Sequence, residues 1–163
     1  MPLHAAQLAK LIECHAGSLR LWIRSRCAAC EDVVQEAFCR LSVAEPPPDN
    51  PVAWLYRVCR NLAEKQRVSD QRRRKREEAR AQPEAVRNDA ADPLELAETL
   101  AAVEQLDDEL REVLVARIWG QLSLEEIGHL CGISTATAHR RYQAALQALK
   151  SKLVSPCENL HEQ

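Results

Sequence analysis

The stretch SLEEIGHLCGISTATAHRRYQAAL, residues 123–146, decides the fold of the second half of this chain. Ser123 is followed three residues later by Glu126, which is the spacing of a capping box at the start of a helix. Gly132 then turns the chain, and Ser134 is placed to cap a second, longer helix. A short helix, a glycine turn and a capped second helix together predict a helix-turn-helix, an arrangement that often binds DNA.

The second helix has two distinct faces. Side chains at helical spacing predict a buried stripe, made of Ala138, Tyr142, Ala145 and Leu149. Small and polar side chains near its N-terminus allow close approach to DNA and can contact base edges or phosphates. The predicted DNA-contacting residues are Ser134, Thr135, Thr137, His139, Arg140, Arg141 and Gln143. Arg141 borders the predicted core, so we expect it to reach the DNA backbone rather than bases. An ordinary helical hairpin with a basic face is the alternative.

Charge is distributed unevenly along the chain, although the net charge is only -2. Residues 57–80 hold ten basic and four acidic groups, whereas residues 81–128 hold three basic and twelve acidic groups. Residues 129–153 hold four basic groups and no acidic one. Two basic blocks around an acidic one indicate two separate surfaces that meet nucleic acid.

Length and composition indicate a helix-rich protein of 163 residues, with four glycines and few β-branched runs. We predict an all-α fold of two small helical domains joined by a flexible linker, the second domain being the helix-turn-helix. The predicted boundaries are a first domain over 1–75, a charged linker over 76–92, a second domain over 93–155 and a tail over 156–163. No apolar run approaches the roughly 18 residues of a membrane span, and no secretory pattern is visible. We therefore expect a cytoplasmic protein without membrane insertion.

The first domain is predicted to contain three helical segments. Residues 3–26 indicate one or two helices, and EDVVQEAFCRL, residues 31–41, indicates another. The buried stripe of the latter is predicted to be Val33, Val34, Ala37, Phe38 and Leu41. A proline-rich loop follows, and Asn50 and Pro51 are suited to the cap and first positions of the next helix. The apolar stripe of that helix is predicted at Leu55, Val58 and Leu62, with Cys59 beside it. In the second domain, Gly120 is predicted to cap the helix before Ser123.

Seven cysteines are present, and two of them form the motif Cys27-x-x-Cys30. Without an export signal, buried thiols are the simplest interpretation. A zinc site needs further ligands, which Cys14, His15 and Cys39 could supply only if the fold brought them together. A thiol- or zinc-based redox sensor therefore stays an alternative. No residue pattern indicates a catalytic site or a cofactor.

Three segments resemble the extracytoplasmic-function type of RNA polymerase sigma factor. EDVVQEAFCRL resembles the family signature through Asp32, Val34, Gln35, Glu36, Phe38, Arg40 and Leu41. WLYRVCRN, residues 54–61, is similar to the family segment that binds and opens the minus-10 promoter element. Residues 106–141 resemble the C-terminal domain that reads the minus-35 element, although His139 stands at a usual Lys or Arg position.

The resemblance implies a role for each segment. Asp32, Gln35, Glu36 and Arg40 would bind core polymerase at the β′ clamp helices. The residues implied at the minus-10 element are Trp54, Tyr56, Arg57, Arg60, Asn61, Lys65 and Arg67. Aromatic faces beside arginines can hold unstacked bases. Trp54 and Tyr56 could equally be aromatic residues of the core. Core RNA polymerase with its β′ clamp helices and β flap, promoter DNA and an anti-sigma factor are the implied partners. A DNA-binding regulator that acts without polymerase is the alternative function.

Overall fold

The computed structural model describes residues 4–77 and 94–154. This part of the chain contains seven helices and no strand, which confirms the predicted all-α class. The helices are α1 (Ala5–Ile23), α2 (Cys30–Ser42), α3 (Pro51–Glu77), α4 (Leu94–Glu104), α5 (Asp108–Ile118), α6 (Leu124–Cys131) and α7 (Thr135–Val154). Nowhere in these two ranges is a helix sufficiently long and apolar to cross a bilayer.

The chain divides into two compact units, of which one contains α1–α3 and the other α4–α7. Helix α3 continues to Glu77, so the first two residues of the predicted linker are helical. The rest of that linker and the predicted tail lie outside the described residues. The predicted boundaries of the two domains therefore stay predictions.

The first unit packs around an aromatic pair from α1 and α3. The rings of Trp22 and Tyr56 meet edge to face with centroids 4.9 Å apart, and both side chains are essentially inaccessible to solvent. The Tyr56 hydroxyl donates a hydrogen bond to Ser18 Oγ at 3.3 Å, which satisfies its buried oxygen. The predicted stripe of α2 is buried at all five of its positions.

The predicted stripe of α3 is partly wrong. Val58 and Leu62 are only half-buried. The core-facing residues are Leu55, Tyr56, Cys59 and Ala63, each with no exposed surface. The helix is rotated from the predicted orientation because Tyr56 has to point inward to meet Trp22. Its predicted start is confirmed, since Asn50 Oδ1 accepts a hydrogen bond from the backbone N–H of Ala53 at 3.0 Å.

The second unit is built around α5, which is buried along most of its length. Val113 and Leu114 are fully buried, whereas Leu110 is half-buried and Ile118 is exposed. Arg111 is 6% exposed and its guanidinium contacts the carbonyl oxygens of Glu104 and Leu106 and the carboxylate of Asp108. The arginine thus pairs carbonyl oxygens at the end of α4 that have no partner within that helix.

The turn between α5 and α6 differs from the prediction. Gly120 does not adopt the left-handed conformation of a C-cap; Gln121 does, with a φ of 53°. The turn is closed by a hydrogen bond from the N–H of Leu122 to the carbonyl of Ala116 at 3.2 Å. Arg117 also donates to the carbonyl of Leu122 at 2.8 Å. These contacts hold the chain in the reversal, so the glycine is not needed as a cap.

Candidate functional site

The predicted capping box of α6 and the predicted glycine turn between α6 and α7 are both present. Ser123 Oγ accepts from the N–H of Glu126 at 3.1 Å, and Glu126 Oε2 accepts from the N–H of Ser123 at 2.7 Å. This reciprocal pair is the predicted capping box. Helix α6 ends at Gly132, whose φ of 68° is left-handed and whose N–H donates to the carbonyl of Gly128. The predicted helix-turn-helix is therefore confirmed in its local geometry.

Gly128 was not singled out in the sequence, but it sets how closely α6 approaches the start of α7. A Cβ at this position would lie 2.9 Å from the carbonyl oxygen of Ile133 and 3.4 Å from the backbone nitrogen of Thr135. Both neighbours are backbone atoms, which cannot move aside as a flexible side chain could. The signal in the sequence was a glycine inside a helical pattern, which usually has a packing reason.

Helix α7 begins with a hydroxyl cap. Ser134 Oγ accepts a hydrogen bond from the N–H of Thr137 at 3.1 Å, which confirms the predicted cap, and it lies 2.9 Å from Thr137 Oγ1. Ala138 and Ala145 are fully buried, and Tyr142 and Leu149 are half-buried, so the predicted inner face is correct.

The opposite face of α7 carries the predicted DNA-contacting side chains. Thr137 is half-buried, and those exposed to solvent are Ser134, Thr135, His139, Arg140 and Gln143. The helix N-terminus adds backbone N–H groups that favour an anion such as a phosphate. The arrangement offers hydrogen-bond donors and acceptors on one exposed helix face without an acidic side chain between them.

Arg141 differs from its neighbours, because it is half-buried and its guanidinium forms an ion pair with Glu109 at 2.5 Å. The pair joins α7 to the first turn of α5. A contact of Arg141 with DNA would therefore compete with Glu109.

A second polar face runs along α3. Arg57, Asn61 and Lys65 are exposed and four residues apart, so they lie on one side of the helix. Trp54 lies one turn before Arg57 and is half-buried. A shallow open depression continues this face and includes the side chains of Arg72 and Arg73. The sequence had marked these arginines only as members of the basic block.

Two of the predicted cations on α3 are near an acidic neighbour. Arg67 forms a two-bonded contact with Glu64, at 2.7 and 3.2 Å. This contact lowers the pKa of the Glu64 carboxyl and raises that of Arg67. Arg60 is half-buried and its charge also lowers the pKa of Glu64. Because the Arg67 pair is exposed, it contributes little stability and can exchange for a phosphate contact.

Tyr56 does not belong to this face. It was predicted to contact DNA, but its side chain has no exposed surface and is packed against Trp22. Burial raises the pKa of its hydroxyl. An unstacked base cannot reach this ring, so we leave Tyr56 out of the proposed DNA-binding residues.

The outer face of α2 presents the residues predicted to bind polymerase. Asp32, Gln35, Glu36 and Arg40 are all exposed, on the side opposite the buried stripe. Arg40 Nε pairs with Glu36 Oε1 at 2.7 Å, one helical turn away. This face is polar and mixed in charge, which suits a protein partner better than it suits DNA.

Cys27 and Cys30 lie together at the junction of α1 and α2, with their sulfur atoms 3.8 Å apart. Within residues 4–77 and 94–154, no three His, Cys, Asp or Glu side chains are grouped as a metal site would require. Cys14, His15 and Cys39 therefore do not complete a zinc site with this pair.

Comparison with known proteins places the chain among transcription factors. Residues 102–151 match the family "Sigma-70, region 4". The ECF RNA polymerase sigma factor EcfG of Rhodopseudomonas palustris (strain TIE-1) is 30% identical over 131 residues, which cover 76% of this chain and 70% of that protein.

Two solved structures share the fold. The sigma factor RpoE in complex with the anti-sigma factor NepR, from Bartonella quintana, has a TM-score of 0.58 and 19% identity, over 91% of this chain and 96% of that chain. CnrH in complex with the cytosolic domain of CnrY has a TM-score of 0.52 and 25% identity, over 92% and 89% of the two chains.

Proposed function

The chain belongs to the ECF sigma factors of RNA polymerase, which act in transcription initiation, and from this premise we propose which of its surfaces does what. Helix α7 reads the minus-35 element, the α3 face binds and opens the minus-10 element, and the α2 face binds core polymerase. The observation that carries the proposal is the capped helix-turn-helix of α6 and α7, with Arg140 and Gln143 exposed on its outer side.

At the minus-35 element, α7 enters the major groove with its N-terminal end first. Arg140 and Gln143 have the hydrogen-bonding groups to read base edges, whereas Ser134 and Thr135 are placed to hold phosphates. His139 is an exposed side chain between them and contributes a polar contact. Arg141 reaches the DNA backbone only by leaving Glu109, so its contribution is smaller.

At the minus-10 element, the basic side chains of α3 and the side-chain amide of Asn61 hold the DNA strand, while Trp54 supports an unstacked base. Arg57, Asn61 and Lys65 supply the exposed side, and Arg72 extends it toward the C-terminal end of the described helix. Arg67 joins as its contact with Glu64 exchanges for a phosphate, and the positive charge of Arg60 adds to the attraction for the DNA backbone. The half-buried position of Trp54 is compatible with one open ring face.

The partners follow from these surfaces. Core polymerase binds Asp32, Gln35, Glu36 and Arg40 through its β′ clamp helices, and the second unit meets the β flap. Relatives of known structure are bound by NepR and by the cytosolic domain of CnrY, and we propose that an anti-sigma factor also covers this chain. We assign the chain no catalytic activity of its own and a cytoplasmic location.

Run-off transcription with core polymerase on a library of promoters tests the proposal. Arg140→Ala should weaken promoter binding by about 1–3 kcal/mol and relax preference at one base pair of the minus-35 element. Lys150→Ala, a charge loss near the far end of the same helix, is the matched control. Equal selectivity of the two variants would remove Arg140 from the proposed readout.

Pull-down of core polymerase tests the α2 face independently of DNA. Asp32→Arg should abolish capture, whereas Glu13→Arg, the same kind of charge reversal on an exposed position of α1, should not. Capture by the Asp32 variant at the level of the unmodified chain would contradict this assignment. Failure of the unmodified chain to capture polymerase would instead favour a regulator that acts without it.

A further inference from the structure

We propose that Cys27 and Cys30 form a reversible dithiol–disulfide site that reacts with low-molecular-weight disulfides, with Cys30 as the attacking thiol and Cys27 as the resolving thiol. The site lies outside the surfaces assigned above and does not depend on them. Its geometry is that of two cysteines separated by two small residues where one helix ends and the next begins.

The two thiols differ in accessibility, which separates their roles. Cys27 is 8% exposed, follows the last turn of α1 and donates its N–H to the carbonyl of Ile23 at 3.3 Å. Cys30 is half-buried and is the first residue of α2. An external disulfide can therefore reach Cys30, whereas Cys27 is shielded but has its sulfur 3.8 Å from that of Cys30.

The surroundings of Cys30 favour its thiolate. The Cys27 thiol donates a hydrogen bond to the Cys30 sulfur, and the positive charge of Arg24 acts in the same direction. Burial and the carboxylate of Glu31 oppose this, as does the hydrogen bond that the Cys30 thiol donates to the carbonyl of Cys27 at 3.0 Å. The net result lowers the pKa of Cys30 to about 7. Position at a helix N-terminus in a Cys-x-x-Cys motif is the usual setting of a reactive cysteine.

Cys27 is held in the thiol form until it is needed. Its hydrogen bond to Cys30 and its burial raise its pKa, and Cys59 and Asp70 of α3 act in the same direction. Once Cys30 is capped by a mixed disulfide, it can no longer accept that hydrogen bond as a thiolate. Cys27 then loses the largest of the interactions that kept its proton in place and becomes better able to attack.

The chemistry balances in two exchange steps. The Cys30 thiolate attacks one sulfur of the external disulfide, forming a Cys30 mixed disulfide and releasing one external thiolate, which takes up a proton. Cys27 then loses its proton and attacks the Cys30 sulfur, forming the Cys27–Cys30 bond and releasing the second external thiol. The protein dithiol is oxidised by two electrons and the external disulfide is reduced to two thiols.

The test uses the full chain, oxidised glutathione as the probe, alkylation and tryptic digestion. Trypsin cleaves after Arg26 and Arg40, so one peptide, residues 27–40, contains Cys27, Cys30 and Cys39. Reduced protein should carry three alkyl groups on this peptide. In oxidised protein the same peptide should carry one alkyl group, on Cys39, and the mass of its unalkylated part should be lower by two hydrogen atoms. Dithiothreitol should restore all three alkylation sites.

Variants assign the two roles. Cys27→Ser should accumulate the mixed disulfide at Cys30, Cys30→Ser should form neither product, and Cys39→Ser, an exposed cysteine on the same helix, should react as the unmodified chain does. A peptide alkylated three times at every glutathione ratio, or glutathione found on Cys39 in preference to Cys30, would overturn the proposal.

The pH profile of alkylation is a readout that a merely structural cysteine would not give. The rate at Cys30 in unmodified protein should be half-maximal near pH 7 and level off about one pH unit higher, as expected from a pKa of about 7. The rate of a free cysteine in the same solution should be half-maximal only at about pH 8.5 and keep rising above it. A Cys30 profile that follows the free amino acid would contradict its role as the attacking thiol.

Discussion

The two proposed DNA surfaces, on α7 and on α3, are positioned by contacts of different range. The contacts that form the start of α7 lie within residues 123–137: the capping box, the Gly132 turn, the close approach at Gly128 and the Ser134 cap. The orientation of α3 depends on Tyr56, whose partners Ser18 and Trp22 are more than 30 residues away in sequence. The start of the α7 surface is set by local backbone geometry, whereas the orientation of the α3 surface is set by core packing.

This difference predicts how each surface responds to substitution. Damage to the α3 surface should follow the loss of a large buried side chain, which leaves a cavity that the neighbours fill only in part. Damage to the α7 surface should follow small changes at turn and cap positions, each of which has a smaller effect on stability. The four predictions below test this contrast from the largest expected effect to the smallest.

Tyr56→Ala should lower the stability of the first unit by about 3–5 kcal/mol, because it empties the centre of that core. Tyr56→Phe keeps the ring and loses only the hydrogen bond to Ser18, so the expected loss is about 0.5–1.5 kcal/mol. Thermal unfolding measures both. Promoter opening by Tyr56→Phe should match that of the unmodified protein. A defect in promoter opening without a loss of stability would mean that Tyr56 contacts DNA after all.

Gly128→Ala should destabilise the second unit by about 1–3 kcal/mol, because the new methyl group meets backbone atoms of the α6–α7 turn. The control is Gly17→Ala in α1, where a Cβ would meet no atom within 4 Å. That control should gain up to about 1 kcal/mol from helix propensity. Denaturant unfolding distinguishes the two, and equal gains would mean that Gly128 has no packing role.

Ser123→Ala should lower the stability of the second unit by about 1 kcal/mol, since the N–H of Glu126 loses its partner. Ser151→Ala, at an exposed position inside α7, should change stability by less than about 0.5 kcal/mol. Denaturation midpoints of the two variants give the comparison. A loss at Ser151 equal to that at Ser123 would contradict the importance of the capping box.

Glu64→Gln should have the smallest effect, a modest gain in DNA affinity measured for the holoenzyme at low salt. The substitution frees Arg67 for a phosphate, and Glu13→Gln on α1 is the control. Because Arg67 lowers the pKa of Glu64, the unmodified pair persists above that pKa and is lost as pH falls through it. The difference in DNA affinity between Glu64→Gln and the unmodified protein should therefore shrink at low pH. Weaker DNA binding by Glu64→Gln would contradict the exchange of Glu64 for a phosphate at Arg67.

The sequence predicted elements whose cause is local. The caps at Ser123 and Ser134, the turn at Gly132 and the buried stripe of α2 could all be inferred, because each depends on residues a few positions apart. For Tyr56 the sequence left both a core position and a DNA-contacting position open, since no residue near it in sequence indicates that Trp22 is its partner. The packing role of Gly128 and the left-handed backbone of Gln121 were missed for a related reason. The first depends on the close approach of α6 to the start of α7, and the second on a chain reversal held by contacts with the end of α5.

For this protein, the sequence alone determined the helical class, the helix-turn-helix and the candidate residues on α2 and α7. Helical periodicity and capping are properties of short segments, and a motif can be recognised from its residue order. Only the tertiary structure decided which face of α3 is buried and that Arg141 is paired with Glu109. It also brought the sulfur atoms of Cys27 and Cys30 within 3.8 Å of each other. Those outcomes depend on which side chains are in contact in the folded protein, and these contacts are determined by the packing of the whole unit.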